Sequence, residues 1–243
     1  MKPIFSILLG AALVFLSFSC ETANEVLGVS EADAIAGLKQ ALEFGSDSAS
    51  SSLNKVDGYF RNQALRIALP EEAKPLVENL TLIPGGQLLL DEVVLKMNRG
   101  AEMAAAEATP IFLDAITKMT IDDGFAILKG SDSAATTYLR ANTTTGLTAA
   151  FKPKIHDAME SVGAATAWSS LFTKYNTIAL PILNLNPFKQ YPEINTDLSQ
   201  YATDRALRGL FVKVREQEVL IRKDPARRIT DLLKRVFAEQ DNK

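Results

Sequence analysis

Residues 204–237 read DRALRGLFVKVREQEVLIRKDPARRITDLLKRVF. Within them Leu207, Phe211, Val214, Glu218 and Ile221 recur at alternating steps of four and three, the period of one face of an α-helix. Asp224-Pro225 supplies a capping side chain and a proline for the first helical position, where the missing N–H has no partner to lose and the fixed φ is already helical. The spacing then predicts a last helix with Ile229, Leu232, Leu233, Val236 and Phe237 on its apolar stripe. No comparable run alternates with the period of two that a half-buried strand requires. The fold class is therefore all-α: a single compact multi-helix domain of about eight helices behind a short N-terminal tether.

The same periods continue upstream. Ser30 with Asp33 three places on is a helix start, and Ile35, Leu38 and Leu42 follow at steps of three and four. Ala49 and Leu53 keep to that face, which predicts that the helix runs through the serine-rich patch 46–52. A second apolar stretch, Tyr59 to Leu69, closes at Pro70, and Pro75 and the Pro84-Gly85-Gly86 turn punctuate the next segment. A long helix is predicted over 88–108, its centre so rich in alanine and glycine that a neighbouring helix can approach closely. Pro110 ends it or opens the next one. Thr120 and Asp123 form a second capping signal for a helix ending near Gly130. One further helix is predicted from Ser131–Ser133 with Tyr138 and Leu139, and another over 146–162, kinked or restarted at Pro153. Residues 168–192, with three prolines and several asparagines, read as a long irregular connection packed through Trp168, Phe172, Tyr175 and Phe188.

The N-terminus has a different character. Lys2 precedes a 15-residue apolar run, Ile4 to Phe18, and the small Ser17 and Ser19 flank its end, the layout of an export signal. A transmembrane helix needs about 20 apolar residues, so this run is short for a span. Cys20 is the only cysteine, and its place directly behind the run resembles the bacterial lipoprotein signal, in which that cysteine is lipidated and becomes the new N-terminus. The expected organisation is a signal peptide over 1–19, a lipidated Cys20 with a tether over 20–29, and a helical domain over 30–240. One acyl chain holds only marginally, whereas two or three make a stable anchor. The expected placement is therefore the cell envelope, tethered to a membrane, with the periplasmic face of the outer membrane favoured. A thiol used in this way removes disulfides, thiolate catalysis and thiolate metal sites from the domain. From Cys20 onward 25 Lys plus Arg (26 less Lys2) face 29 Asp plus Glu, a balance of −4 that argues against nucleic acid as a partner.

Several stretches carry a family resemblance: Asn98 to Glu102, Ala134-Ala135-Thr136-Thr137-Tyr138, Gly37-Leu38-Lys39-x-Ala41-Leu42, Asp57-Gly58-Tyr59-Phe60 and, above all, Thr203 to Phe211 with Glu218 to Phe237. Together they resemble the bacterial family catalogued as domain of unknown function 4197, over about residues 27–238. Gly100 and Gln217 stand where that pattern has alanine and an acid. The resemblance implies an exported helical domain without an established activity, and it lends no catalytic residue.

Candidate site residues are therefore taken from the chain itself. Glu218 lies in an apolar stripe, where a carboxylate must be paired or hydrogen-bonded; Arg222 is one turn later and Arg215 one turn earlier. Either Glu218 and Arg222 form a structural ion pair between packed helices, or Glu218 is a ligand or metal carboxylate. Asn98 and Glu102, four apart among small residues, pose the same alternatives, and convergence of the two pairs would create a polar interior pocket. His156 is the only histidine; with Glu160 it gives two potential ligands on one face but excludes the paired-histidine metal motifs. No Gly-x-Ser-x-Gly elbow, dinucleotide fingerprint or phosphate-binding loop occurs, and no cofactor is implied. Residues 204–235 hold ten Lys plus Arg against five Asp plus Glu, read as a solvated helical surface, a contact for anionic headgroups near the anchor, or a site for a protein or polyanion. Asn79-Leu80-Thr81 and Asn142-Thr143-Thr144 match the glycosylation sequon and are read as chance. Two function classes remain. The first is a non-catalytic helical binding or interaction domain for a lipid, hydrophobic ligand or envelope protein; the second is an envelope metal-dependent hydrolase using interior carboxylates such as Glu102 and Glu218.

Overall fold

The computed structural model describes residues 30–74, 77, 86–185, 187–188 and 190–238. The export signal, Cys20, the tether, Pro75, Pro84-Gly85, the first sequon and the last residues of the expected domain lie outside the described residues. Among those described there is no strand, and the elements are α1 (Glu31–Leu53), α2 (Gly86–Ala104), α3 (Ala108–Thr117), α4 (Ile121–Lys129), α5 (Ala134–Glu160), α6 (Ala164–Lys174), α7 (Leu180–Leu183), α8 (Leu198–Lys223) and α9 (Asp231–Phe237). The all-α expectation stands. Also among the described residues, no helix is long and apolar enough to cross a membrane.

The starts of α1 and α4 follow local chemistry. Ser30 Oγ accepts the Asp33 amide, and Thr120 and Asp123 form a reciprocal capping box, each satisfying amides that the first turn leaves without a partner. α1 runs unbroken through the serines to Leu53 because Ala49, Ser50 and Leu53 are buried on its inner face; Ser50 donates its hydroxyl to the Ala105 carbonyl. The core is built where α5 packs against α2 and α8 while α1 packs against α8, α3 and α9. Met97, Ala101 and Ala104 of α2, Leu139, Leu147 and Phe151 of α5, and Ala202, Ala206 and Leu210 of α8 are sealed from solvent. The small residues of α2 work as the sequence suggests: a Cβ on Gly100 would stand 2.7 Å from the Ile155 Cα, so α2 and α5 meet almost backbone to backbone.

Four boundaries differ from the sequence reading. The helix expected over 88–108 ends at Ala104, a tight 3₁₀ turn covers Ala105–Glu107, and Pro110 sits in the first turn of α3; proline cannot donate to the carbonyl four residues back, so the ladder cannot continue unchanged. The two helices expected over 131–162 are one, α5, which continues through Pro153. Phe151, Ile155 and Met159 are fully buried on either side of that proline, and their packing outweighs the single lost backbone bond. The connection expected over 168–192 is largely helical, with α6 and α7 joined by a π turn over Tyr175–Ala179, and Pro181 is the second residue of α7. Trp168, Phe172 and Tyr175 are buried as expected, but Phe188 is 97% exposed. Asp224-Pro225 caps a 3₁₀ turn instead of the last helix, which starts at Asp231 under Thr230; Ile229 consequently faces solvent.

Gly209 marks the closest approach on α8, since a Cβ there would stand 2.8 Å from Tyr59 Cε1. Glycine in a helix interior costs about 1 kcal/mol relative to alanine, whereas overpacking a filled core costs about 1–3 kcal/mol. The Tyr59 ring is fully buried and held by its hydroxyl, so the overlap dominates. Gly209→Ala is expected to lower stability by up to about 2 kcal/mol in urea denaturation, the overpacking cost less the helix-propensity gain; a stabilised variant would contradict the packing described here.

Candidate functional site

The polar interior consists of two hydrogen-bonded clusters. The first belongs to α2. After α1 the chain turns at Asp57, which takes φ 71°, and at Gly58, where a Cβ would lie 2.4 Å from the Leu53 carbonyl oxygen. It then crosses α2 as an irregular strap in which the amides of Asn62, Leu65 and Arg66 bond within the strap, while α2 supplies partners for those of Tyr59, Phe60 and Ile67. Glu102 Oε1 accepts the amides of Tyr59 and Phe60, each at 3.1 Å. Arg99 donates to Glu102 Oε2 and, at 2.8 Å, to Asp57, bracing the left-handed turn. Asn98 Oδ1 accepts the Ile67 amide at 2.9 Å, and its Nδ2 donates to the carbonyls of Ile67 at 2.8 Å and Val94 at 2.7 Å. The Tyr59 hydroxyl reaches past α2 to donate to the Ala206 carbonyl of α8 at 2.8 Å.

The second cluster joins α8 to the start of α5. Ser133 stands at the N-cap of α5 but makes no side-chain capping bond. Glu218 takes that role from across the bundle: Oε1 accepts the Ala135 amide at 3.0 Å, and Oε2 accepts the Thr136 amide at 2.8 Å and its hydroxyl at 2.7 Å. A carboxylate on the first amides of a helix is favoured by both hydrogen bonding and the helix dipole. Arg222 completes the pair, donating to Glu218 at 3.1 Å and to the Ile127 carbonyl of α4 at 2.8 Å. Arg215 is exposed.

Asn98 and Glu102 therefore both hold the strap, whereas Glu218 and Arg222 join α8 to α5 and α4. The strap meets α8 at Ala206 and Gly209, whereas Glu218 is nine residues further along, about 14 Å by the rise of the helix. The two pairs do not converge on one pocket. Glu218 and Arg222 do border an apolar cleft between α1, α5, α8 and α9, lined by Leu38, Leu42, Leu139, Val214 and Phe237, but its volume is about 30 Å³, room for one or two waters. Among the described residues no buried side-chain nitrogen or oxygen lacks a hydrogen-bond partner, and no three His, Cys, Asp or Glu side chains gather as a metal-holding group. His156 and Glu160 part company: the His156 Nδ1 lies 3.1 Å from the Ser199 hydroxyl, and Glu160 accepts the amide and hydroxyl of Thr166.

Two features had no signal in the sequence. Arg228, 2% exposed, turns inward to donate to the carbonyls of Ile221 at 3.0 Å and Arg222 at 2.9 Å, closing the C-terminal end of α8. Asn176 and Asn184 each clip one backbone residue as Asn98 does. Asn176 holds both the amide and carbonyl of Ile194, and Asn184 those of Tyr191, so the segment returning from α7 lies along the α6–α7 arm. The basic stretch 204–235 does not form one open face. Arg222 and Arg228 are buried, while Lys213 pairs with Glu216, Lys223 with Asp132, Arg227 with Asp224 and Lys234 with Asp231.

Burial, and secondarily the Glu102 charge, push the Tyr59 hydroxyl pKa above its ordinary value of 10.0. The unfolded chain deprotonates near that value and the native state does not, so this contribution is complete below pH 10 and lost as pH rises beyond it. Tyr59→Phe is expected to cost about 0.5–1.5 kcal/mol at neutral pH for the lost hydrogen bond, and the gap to the parent should narrow above pH 10 in urea titrations; a gap independent of pH would contradict the buried neutral hydroxyl. Glu218→Gln leaves Arg222 buried without its counter-charge and is expected to cost about 3–5 kcal/mol by chemical denaturation. A loss below about 1 kcal/mol, the scale of an exposed pair, would contradict the capping role.

The chain matches, over residues 28–238, the model of the family described as "Protein of unknown function (DUF4197)". No curated protein and no solved structure matches it. The matched span covers both clusters, from the α1 start through the strap, the α5 cap and the last helix, and on it the chain belongs to the DUF4197 family.

Proposed function

We propose that this protein is a lipid-anchored component of the cell envelope whose helical domain is a non-catalytic binding module, tethered through Cys20 with the periplasmic face of the outer membrane as its favoured place. The observation that carries the non-catalytic reading is where the interior polar groups point. Both oxygens of Glu218, both of Glu102 and the amide of Asn98 accept from or donate to groups of the fold itself. A general base or a metal ligand needs lone pairs aimed into space that a substrate or ion can enter, and these are aimed at backbone amides and arginines. Such a rigid interior suits a scaffold that presents its surface to a lipid, a hydrophobic ligand or an envelope protein.

The anchor reading draws on the order of residues alone: a lysine, an apolar run, small residues and then the only cysteine. Native mass spectrometry of the protein extracted from its own membranes tests both parts. The expected result is a polypeptide beginning at Cys20 with the added mass of its acyl chains, together with a bound lipid or protein. A free Cys20 thiol or a different N-terminus would overturn the anchor, and a stoichiometric metal lost on Glu102→Ala would favour a hydrolase.

A further inference from the structure

Between Glu160 and Glu193 the chain carries no acidic residue over 32 positions and two lysines, Lys174 and Lys189, in a protein whose formal net charge is −3. The α6–α7 arm occupies much of this span. Its inner face is anchored: Trp168 and Phe172 pack at a 49° tilt with ring centroids 4.3 Å apart, the Trp168 Nε1 donates to the Asn195 carbonyl at 2.9 Å, and the Asn176 and Asn184 clips fasten the returning chain. Its outer face is aliphatic. Leu171, Ile178, Ile182 and Leu185 follow at steps of seven, four and three and are 45, 63, 64 and 79% exposed. Ser170, Thr173, Lys174 and Thr177, all exposed, run beside them.

One exposed leucine is unremarkable on a protein surface, but four exposed aliphatic side chains within 15 residues of a braced arm, the last in the turn after α7, form a patch that needs a partner. Its chemistry selects among partners. The cores of protein interfaces favour aromatic residues, methionine and arginine; the four aliphatic positions have none of these, and Phe188, 97% exposed three residues beyond Leu185, is also a residue type of membrane-interface faces. Aliphatic side chains flanked by small hydroxyl residues and lysine, with no acid between Glu160 and Glu193, suit the boundary between headgroups and acyl chains, where lysine stems can reach outward to phosphates. The absence of acid is the complementary charge pattern for an anionic leaflet.

We propose that the outer face of the α6–α7 arm inserts its aliphatic stripe, Leu171, Ile178, Ile182 and Leu185, into the interface of an anionic lipid bilayer. This contact is independent of Cys20 and goes beyond the lipid anchor. The arm joins α8 at Leu198. The domain's N-terminal end lies toward the other end of α8, because α1 runs antiparallel to it, with Gly45 beside Gln217 and Ile221. With 26 residues α8 is about 39 Å long.

The test places an environment-sensitive fluorophore on Ile182→Cys in the full chain carrying Cys20→Ser, with Val212→Cys on α8 as the control position. Vesicles of mixed phosphatidylethanolamine and phosphatidylglycerol should cause a blue shift and a severalfold gain in emission at position 182, shielded from an aqueous quencher and largely retained at high salt. Position 212 should not respond, and adding Ile178→Asp and Leu185→Asp should abolish the response at 182. An unchanged spectrum at 182 overturns the proposal, whether or not the protein sediments with the vesicles. So does an equal response at 212, or a shift that follows protein concentration without vesicles, which would identify a second copy of the chain as the occupant.

Discussion

A carboxylate removed from water costs several kcal/mol unless donors surround it, and the first amides of a helix are donors without internal partners. Glu218 and α5 answer each other's deficit. α5 begins after a serine that does not cap it, and the amides of Ala135 and Thr136 end on a side chain more than eighty positions later in the chain. Arg222 neutralises that carboxylate and reaches on to α4 through the Ile127 carbonyl. One buried ion pair thus fixes the longitudinal register of α4, α5 and α8, around which α1, α2 and α9 pack. Apolar burial alone fixes register loosely, because it has no direction; hydrogen bonds supply the direction.

The same device recurs at three other places among the described residues. Asn98 and Glu102 hold the strap, Asn176 and Asn184 hold the return from the arm, and Arg228 closes the end of α8. An asparagine amide matches one residue's N–H and C=O together, as a neighbouring strand would, so each clip satisfies a peptide that lies beside a helix. In an all-α protein with long irregular segments this is how buried peptides avoid remaining unpaired. Mechanical demand thus accounts for these interior polar residues.

Much of the fold was legible because it is local. The starts at Ser30 and Thr120 are written in capping residues three apart, the face of α8 in its four-three steps, and the close approach of α2 and α5 in a run of alanines around Gly100. Glu218 stood out as a site candidate by the same logic, since a carboxylate in an apolar stripe must have partners. What misled was proline and asparagine composition. Over 168–192 it suggested a loop, whereas the four-three spacing of Trp168, Phe172 and Tyr175 carried the helix through. At Pro153 burial on both sides outweighed a missing bond, and at Asp224 a short turn took the cap meant for α9.

The order of residues by itself determined the helical class, the unbroken α1, the buried faces of α1 and α8, and the need for a counter-charge near Glu218, because each depends on side chains within a few positions of one another. Tertiary structure alone decided that Glu218 caps α5, that Asn98 and Glu102 serve a separate strap about 14 Å away along α8, and that the α6–α7 arm turns an aliphatic stripe outward. Those outcomes depend on which distant backbone groups come within about 3 Å, and no short-range pattern encodes that distance.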